Sequence, residues 1–208
     1  MAETADDAPT GGEPVSLDDV TWVPWRPEEV AARLDGVRAP WAVAGGWAVD
    51  LWLGTETREH EDLEITVPRD GFAEVRAALP DLEFDVVGAG RRWPVTDPAF
   101  DVLHQTWGRD PQGRYVLDVF REPHDGSTWI CRRDPSIRRP FADVVRRDGA
   151  GTPFVAPEIV LLFKAKEARP KDEADAALVL PTLDPEQRAW LRAALDLVHP
   201  GHPWADPL

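Results

Sequence analysis

Residues 41–68 have the sequence WAVAGGWAVDLWLGTETREHEDLEITVP, and this stretch decides the fold. The apolar run Trp41–Ala44 predicts a short strand. After Gly45, apolar residues recur at helical spacing until Gly54, which predicts a helix that ends at that glycine. The segment Asp62–Val67 then alternates polar with apolar residues and is followed by a proline, which predicts a second strand. The stretch therefore predicts a strand, a helix and a strand in succession.

Two features of this stretch suggest chemistry. Gly45 and Gly46 lie at the predicted strand-to-helix turn, where backbone N–H groups and the positive helix end favour a phosphate and no side chain blocks its approach. Asp62 and Glu64 fall on one strand face with Cα atoms about 7 Å apart, close enough to share a hard cation such as magnesium. A solvated strand face also shows two acids at this spacing, so the pair alone supports either interpretation.

The flanking sequence predicts a mixed domain followed by helices. Residues 1–26 are expected to form a disordered acidic tail, because the first 19 residues contain six acids and no Lys or Arg. A helix is predicted from Pro27. Further elements are predicted as a helix at Phe72–Leu79, strands at Phe84–Val87, Val102–Thr106, Arg114–Phe120 and Trp129–Arg132, and helices after Pro157. We therefore expect an α+β domain over residues 27–156 and a small helical domain over residues 157–208.

Composition limits the class of protein. The chain has 208 residues, of which 43% are hydrophobic, enough to bury a core. It has neither a run of about 18 apolar residues nor a signal-peptide pattern, and it has a single cysteine, Cys131, so we expect a cytoplasmic protein without disulfides or a membrane span. The formal charge of −15 disfavours nucleic acid and favours a cationic small molecule, although acidity also serves solubility alone.

A family resemblance follows from the combined spacing of several residues. These are Gly45, Gly46, Asp50, Gly54, Arg58, His60, Asp62 and Glu64. The pattern resembles the signature of nucleotidyltransferases of the DNA polymerase β-like fold, and is most similar to aminoglycoside 2''-O-adenylyltransferases and related antibiotic nucleotidyltransferases. The resemblance is strongest over residues 41–68 and weaker near Asp118 and over residues 157–182. The family more often has a second Asp where this chain has Glu64, whose longer arm shifts a bound magnesium ion.

The resemblance implies roles for individual residues. Gly45 and Gly46 would hold the triphosphate, while Asp62 and Glu64 would bind two magnesium ions. A third metal carboxylate is expected on a neighbouring strand, with Asp118 as the best match. Asp85 and Asp101 are its competitors, and an acid that only pairs with an arginine is the structural alternative for Asp118.

Basic residues near this motif have two interpretations each. Arg58 could clamp a phosphate, and His60 could orient Asp62 or touch the nucleotide, although a core hydrogen bond is the default for a histidine. Lys164 and Lys171 could bind phosphate or form helix ion pairs. Six arginines could grip a triphosphate or RNA, but we favour a solvated face that pairs with surplus acids: Arg132, Arg133, Arg138, Arg139, Arg146 and Arg147.

The implied activity is magnesium-dependent transfer of a nucleoside monophosphate, which we expect to be AMP, from ATP or another nucleoside triphosphate to a hydroxyl of an aminoglycoside-like acceptor. The alternatives are a toxin-type nucleotidyltransferase that acts on tRNA or protein, and a non-catalytic module that binds nucleotide or drug. The sequence does not identify the acceptor, the nucleotide or the oligomeric state.

Overall fold

A computed structural model describes residues 9–16 and 20–208 of the chain. Its helices are α1 (Pro27–Arg33), α2 (Gly45–Leu53), α3 (Phe72–Ala78), α4 (Ala99–Val102), α5 (Phe141–Val144), α6 (Pro157–Lys164), α7 (Pro170–Val179) and α8 (Pro185–Val198). Its strands are β1 (Glu13–Pro14), β2 (Ala42–Val43), β3 (Glu64–Pro68), β4 (Glu83–Gly88), β5 (Arg91–Pro94), β6 (Gln105–Arg109), β7 (Tyr115–Glu122), β8 (His124–Asp125), β9 (Thr128–Ile130), β10 (Arg138–Pro140), β11 (Val145–Arg147) and β12 (Pro153–Val155).

A nine-stranded mixed sheet organises the described residues. Its strand order is β1-β5-β4-β6-β7-β3-β2-β12-β11, and β10, β9 and β8 form a small second sheet. Strands β3 and β7 pair in parallel, whereas β6 and β7 pair antiparallel. The predicted α+β class with a mixed sheet and flanking helices is confirmed.

Alternation along β3 separates the core from the site. Ile65 and Val67 are fully buried in the main apolar cluster, as is Leu63 just before the strand. Glu64 and Thr66 point to the opposite face, since successive strand residues alternate. The strand therefore holds the apolar core on one face and leaves Glu64 on the other.

The predicted helices after Pro157 are present as α6, α7 and α8. Helix α8 begins at a capping box, in which Asp184 and Gln187 each satisfy a backbone N–H of the other. Helix α6 packs against α8 and α2, and its apolar residues share one cluster with those of β3. The domain boundary at residue 157 stays a prediction, and the apolar core runs across it.

Three local predictions differ from the structure. Asp62 lies before β3 instead of within it, because pairing with β7 starts at Glu64. Residues 99–102 form α4, where Asp97 accepts a hydrogen bond from the Ala99 N–H, so the predicted strand over 102–106 starts only at Gln105. Within the expected tail, β1 pairs with β5 and is not free, while residues 1–8 and 17–19 lie outside the described residues.

Each helix within residues 9–16 and 20–208 is too short or too polar to span a membrane.

Candidate active site

A row of side chains crosses the sheet on the face opposite the apolar core. Glu64 on β3 lies opposite Asp118 on β7, and Asp118 lies opposite Trp107 on β6. Asp85 on β4 lies opposite Trp107 and completes the row. Because directly opposed strand residues project to the same side, the two predicted strand carboxylates are immediate neighbours.

The glycine pair leaves space for these groups. Gly45 has φ +60°, and a Cβ there would overlap the Glu64 carboxylate. A Cβ on Gly46 would lie 2.6 Å from His60 Nδ1 and would also meet Arg58. Both glycines are therefore required sterically where α2 begins.

A cavity of about 370 Å³ opens beside Gly45 and Glu64. Its floor includes Thr66, Gln105 and Phe120, and its other wall comes from α6 and the segment that follows. The basic residues that line it are Arg132, Arg133, Lys164, Lys166 and Arg169. The cavity thus has Glu64 of β3 on one side, basic side chains on the other and the N-terminus of α2 at its edge. This arrangement suits a phosphate chain.

The two strand carboxylates, of Glu64 and Asp118, both have raised pKa values. Burial, followed by the negative charge of Asp62, raises the pKa of Glu64 to about 7, although Lys164 and Arg132 act in the opposite direction. Burial and the charge of Glu64 raise the pKa of Asp118 well above its usual value. Gln105 Nε2 donates to Asp118 Oδ2 at 2.6 Å. Asp118 Oδ1 is buried and accepts no hydrogen bond of full geometry from the described residues, although the indole N–H of the facing Trp107 acts on the carboxylate in the direction that lowers its pKa.

The carboxylates of Asp62, Glu64 and Asp118 are chemically suited to bind a hard cation. A buried carboxylate oxygen without a hydrogen bond of full geometry, beside a second acid and near a third, is a donor set that magnesium prefers. Asp62 is partly buried just before β3, and its charge acts on both Glu64 and Asp118. Within the described residues, however, His, Cys, Asp and Glu side chains form no group of three placed to hold a metal ion. The metal roles of Asp62, Glu64 and Asp118 stay predictions.

The competitors of Asp118 have other positions. Asp101 is exposed on α4, away from the row. Asp85 is in the row but separated from Asp118 by β6, and it accepts from Tyr115 Oη at 2.9 Å and Arg109 Nε at 3.1 Å.

Arg58 and His60 lie in an internal network and do not line the cavity. His60 Nε2 donates to Asp50 Oδ2 at 2.6 Å, and Arg58 Nη1 is 3.1 Å from His60 Nδ1. Arg58 Nη2 also reaches Asp175 Oδ2 at 3.3 Å. The structure therefore gives both residues core partners, which is the default interpretation for His60.

The two predicted phosphate-binding lysines differ in position. Lys164 lines the cavity, but its Nζ lies 3.0 Å from Asp172 Oδ1 and 2.8 Å from Asp175 Oδ2. Lys171 lies outside the cavity lining and pairs with Glu61 at 3.2 Å. Only Lys164 is placed near Glu64.

Sequence reasoning missed several cavity residues. The sequence favours a solvated face over a triphosphate site for Arg132 and Arg133, yet both line the cavity, and its patterns do not single out Glu122 or Gln105. Glu122 continues the alternation of Asp118 and Phe120 along β7, and that period-two pattern was the available signal.

Known proteins agree with this architecture. The sequence model of the family described as aminoglycoside-2''-adenylyltransferase matches residues 28–100. A 2''-aminoglycoside nucleotidyltransferase from Klebsiella pneumoniae is 37% identical over 51 residues, which cover 24% of this chain and 29% of that protein. One from Escherichia coli matches with the same identity and coverage. The matched stretch thus spans less than a third of these relatives.

Solved structures extend the likeness over most of the chain. The crystal structure of ANT(2'')-Ia in complex with adenylyl-2''-tobramycin has a TM-score of 0.57 at 17% identity, covering 82% of this chain and 94% of that chain. Lincomycin-bound LnuA, a lincosamide antibiotic adenylyltransferase, has a TM-score of 0.52 at 18% identity, covering 80% and 97%. At such identities the likeness shows the fold. The chain therefore has the fold of these antibiotic nucleotidyltransferases, and the resemblance to aminoglycoside 2''-adenylyltransferases is confirmed over residues 28–100.

Proposed function

We propose that this chain is a magnesium-dependent nucleotidyltransferase that transfers AMP from ATP, or the corresponding group of another nucleoside triphosphate, to a hydroxyl of an aminoglycoside-like antibiotic. The observation that carries the proposal is the opposed pair Glu64 and Asp118, with Asp118 Oδ1 accepting no hydrogen bond of full geometry from the described residues, beside the cationic cavity. Acids with raised pKa values next to a phosphate-sized cationic cavity are typical of phosphoryl-transfer sites.

In this proposal Asp62, Glu64 and Asp118 would hold two magnesium ions, which would neutralise the charge that develops on the α-phosphate. The α2 N-terminus at Gly45 and the cationic wall orient the triphosphate. Asp118, whose pKa burial raises, accepts the proton of the acceptor hydroxyl. The acceptor oxygen forms a bond to the α-phosphorus as the bond from phosphorus to the bridging oxygen breaks, and pyrophosphate leaves with that electron pair.

The acceptor class rests on charge and likeness. The net charge of −15 attracts a polycation and repels nucleic acid. The solved neighbours carry adenylyl-2''-tobramycin and lincomycin, which makes aminoglycosides and lincosamides the first compounds to test. We place the protein in the cytoplasm, a location that its single cysteine supports.

The test is mass spectrometry of an aminoglycoside and lincosamide panel incubated with the protein, the four nucleoside triphosphates and magnesium. We expect one aminoglycoside to gain a nucleoside monophosphate while pyrophosphate is released. The Asp62→Asn variant is the control for a contaminating activity. Magnesium-dependent nucleotide binding without pyrophosphate release from any acceptor would establish a binding module instead.

A further inference from the structure

The cations of the cavity differ in which of their donor groups are already engaged by the protein. Lys164 is within ion-pair distance of two buried carboxylates, Asp172 and Asp175. Arg169 Nε donates to Asp172 Oδ2 at 2.8 Å. These two cations are therefore largely committed to the protein, and an added anion would gain less from them.

Arg132 also forms an ion pair with a buried carboxylate, that of Glu122, but only its Nε takes part. Its Nε donates to both oxygens of Glu122, at 3.1 and 3.2 Å. Its guanidinium carbon lies 4.5 Å from the ring centroid of Phe120 and 4.7 Å from that of Phe163. The Nε bond and two aromatic rings fix the guanidinium, since each removes a direction in which it could rotate.

The terminal nitrogens of Arg132 are left available by this arrangement. Among the described residues, neither Nη1 nor Nη2 donates a hydrogen bond within the criteria met by Nε. Arg132 lines the cavity, with 21% of its side chain exposed, whereas Glu122 behind it is only 3% exposed. The Nη edge is therefore the accessible part of a held guanidinium.

The guanidinium of Arg132 also lies close enough to the Glu64 carboxylate to influence it. Arg132 and Lys164 both act electrostatically on Glu64 across the cavity. An anion between Arg132 and the Glu64 region would lie against Gly45, where α2 begins. A guanidinium fork matches two phosphate oxygens, and a held fork loses little conformational entropy on binding.

We propose that Arg132 binds the two phosphates of the nucleoside triphosphate that leave as pyrophosphate. This inference rests on the proposed nucleotidyl transfer and identifies the group that holds its leaving group. As the bond between the α-phosphorus and the bridging oxygen breaks, the electron pair and its charge pass to pyrophosphate, which Arg132 stabilises through Nη1 and Nη2. Lys164 then serves mainly to join α6 to α7.

The discriminating variant is Arg132→Lys, which keeps the positive charge but lacks the fork and the flat surface that contacts Phe120 and Phe163. Calorimetric titrations with magnesium pyrophosphate and with AMP separate the two halves of the nucleotide. We expect pyrophosphate affinity to fall about tenfold or more, the effect of losing a charge-assisted hydrogen bond, and AMP affinity to stay within about twofold.

Arg138→Lys is the matched control. Arg138 belongs to the same arginine-rich stretch but is exposed on β10 and does not line the cavity. We expect this control to bind both ligands as the wild type does. Circular dichroism and thermal unfolding of each variant show whether it is folded.

A second measurement uses the wild-type protein. Phenylglyoxal modifies accessible guanidinium groups, and peptide mass spectrometry reports each site. We expect magnesium pyrophosphate to protect Arg132 and not Arg138.

The outcomes are distinguishable. Unchanged pyrophosphate affinity in folded Arg132→Lys overturns this inference alone, and wild-type transfer then leaves the proposed function standing. If the variant does not fold, equal phenylglyoxal modification of Arg132 with and without pyrophosphate overturns the inference. A wild-type protein that binds neither pyrophosphate nor nucleoside triphosphate overturns both this inference and the proposed function.

Discussion

Buried charges occur in two neighbouring regions, and the two regions treat them in opposite ways. In the carboxylate row, Glu64 and Asp118 face each other with raised pKa values, and Asp118 Oδ1 accepts no hydrogen bond of full geometry from the described residues. In the ion network between α2, α6 and α7, buried Asp175 is paired with both Arg58 and Lys164. Unpaired buried acids indicate a place kept for a ligand, whereas paired ones indicate architecture.

The difference has an energetic basis. Burial of a charge costs free energy unless a partner offsets it. In the ion network, protein cations offset the free-energy cost of burying the carboxylates. In the carboxylate row, this cost remains until a cation binds. Mutations in the two regions should therefore affect different quantities, activity in the row and stability in the network.

The largest effect is expected for Asp118→Asn. Asn cannot accept the proton of the acceptor hydroxyl, so single-turnover transfer should fall by about 10²–10⁴-fold. Nucleotide affinity should weaken less, because Asp62 and Glu64 still hold the metal on the triphosphate. Both quantities are to be measured on the same protein preparation. Nearly intact transfer would assign the base elsewhere, and joint loss of binding and transfer would leave Asp118 as a ligand or a fold residue only.

Asp175→Asn should act on stability instead. The change leaves Arg58 and Lys164 without a shared buried carboxylate, and removal of one partner of such a pair costs about 3 kcal/mol of unfolding free energy. Urea unfolding at pH 7 measures it. The matched control is Asp196→Asn, an exposed position on α8, which should change stability by less than about 0.5 kcal/mol. If Asp175→Asn has wild-type stability but loses nucleotide binding, the two regions do not differ in the way proposed.

Glu64→Gln should stabilise the metal-free protein. The pKa of Glu64 in the folded protein is about 7, above the ordinary value of 4.5. Below pH 4.5 the side chain is protonated in both states and does not lower the free energy of unfolding. Above pH 7 it is ionised in both states, and the full destabilisation is present. Gln carries no such charge. Unfolding with a chelator present should show the variant more stable than wild type by about 1 to 3 kcal/mol at pH 8, and similar to it at pH 4.

Glu59→Gln, in the exposed part of the preceding loop, controls for the loss of one negative charge and should show no pH-dependent gain. A variant that is less stable than wild type at pH 8 would mean that Glu64 has a compensating partner after all. The carboxylate row would then resemble the ion network.

Local rules predicted the elements around Gly45 because the signals there agree. Apolar spacing, a glycine at each end and a following proline all indicate the observed α2 and β3. The rules failed at residues 102–104 of the predicted strand, where α4 ends at Val102 and β6 starts only at Gln105, and a local hydrogen bond from the Ala99 N–H to Asp97 favours that helix. They also placed Asp62 within β3, since alternation alone does not show where the neighbouring strand stops pairing.

The site was predictable only in part for a related reason. Glu64 and Asp118 carry a period-two signal, and strand register then brings them together. The partners of Arg58, His60 and Lys164 come from α2 and α7, at sequence separations that no local pattern encodes. Which basic residue faces the cavity depends on that packing, so Arg132 was missed.

The smallest effect is expected for Lys171→Met, and it decides between the two interpretations of that lysine. Its ion pair with Glu61 is solvent-exposed, with 38% and 88% of the two side chains accessible, so its loss should cost less than about 1 kcal/mol. Because Lys171 does not line the cavity, nucleotide affinity and transfer should stay within about twofold of wild type.

Glu61→Gln removes the other partner of the same pair and should have an equally small effect on both readouts. A tenfold loss of nucleotide affinity in Lys171→Met but not in Glu61→Gln would mean that Lys171 leaves Glu61 to bind phosphate, since the loss of this surface ion pair alone would give equal effects in both variants. That result would extend the ligand site beyond the cavity to the exposed face of α7. Small matched losses in both variants would instead assign Lys171 to the helix surface and leave the cationic wall to Arg132 and its neighbours.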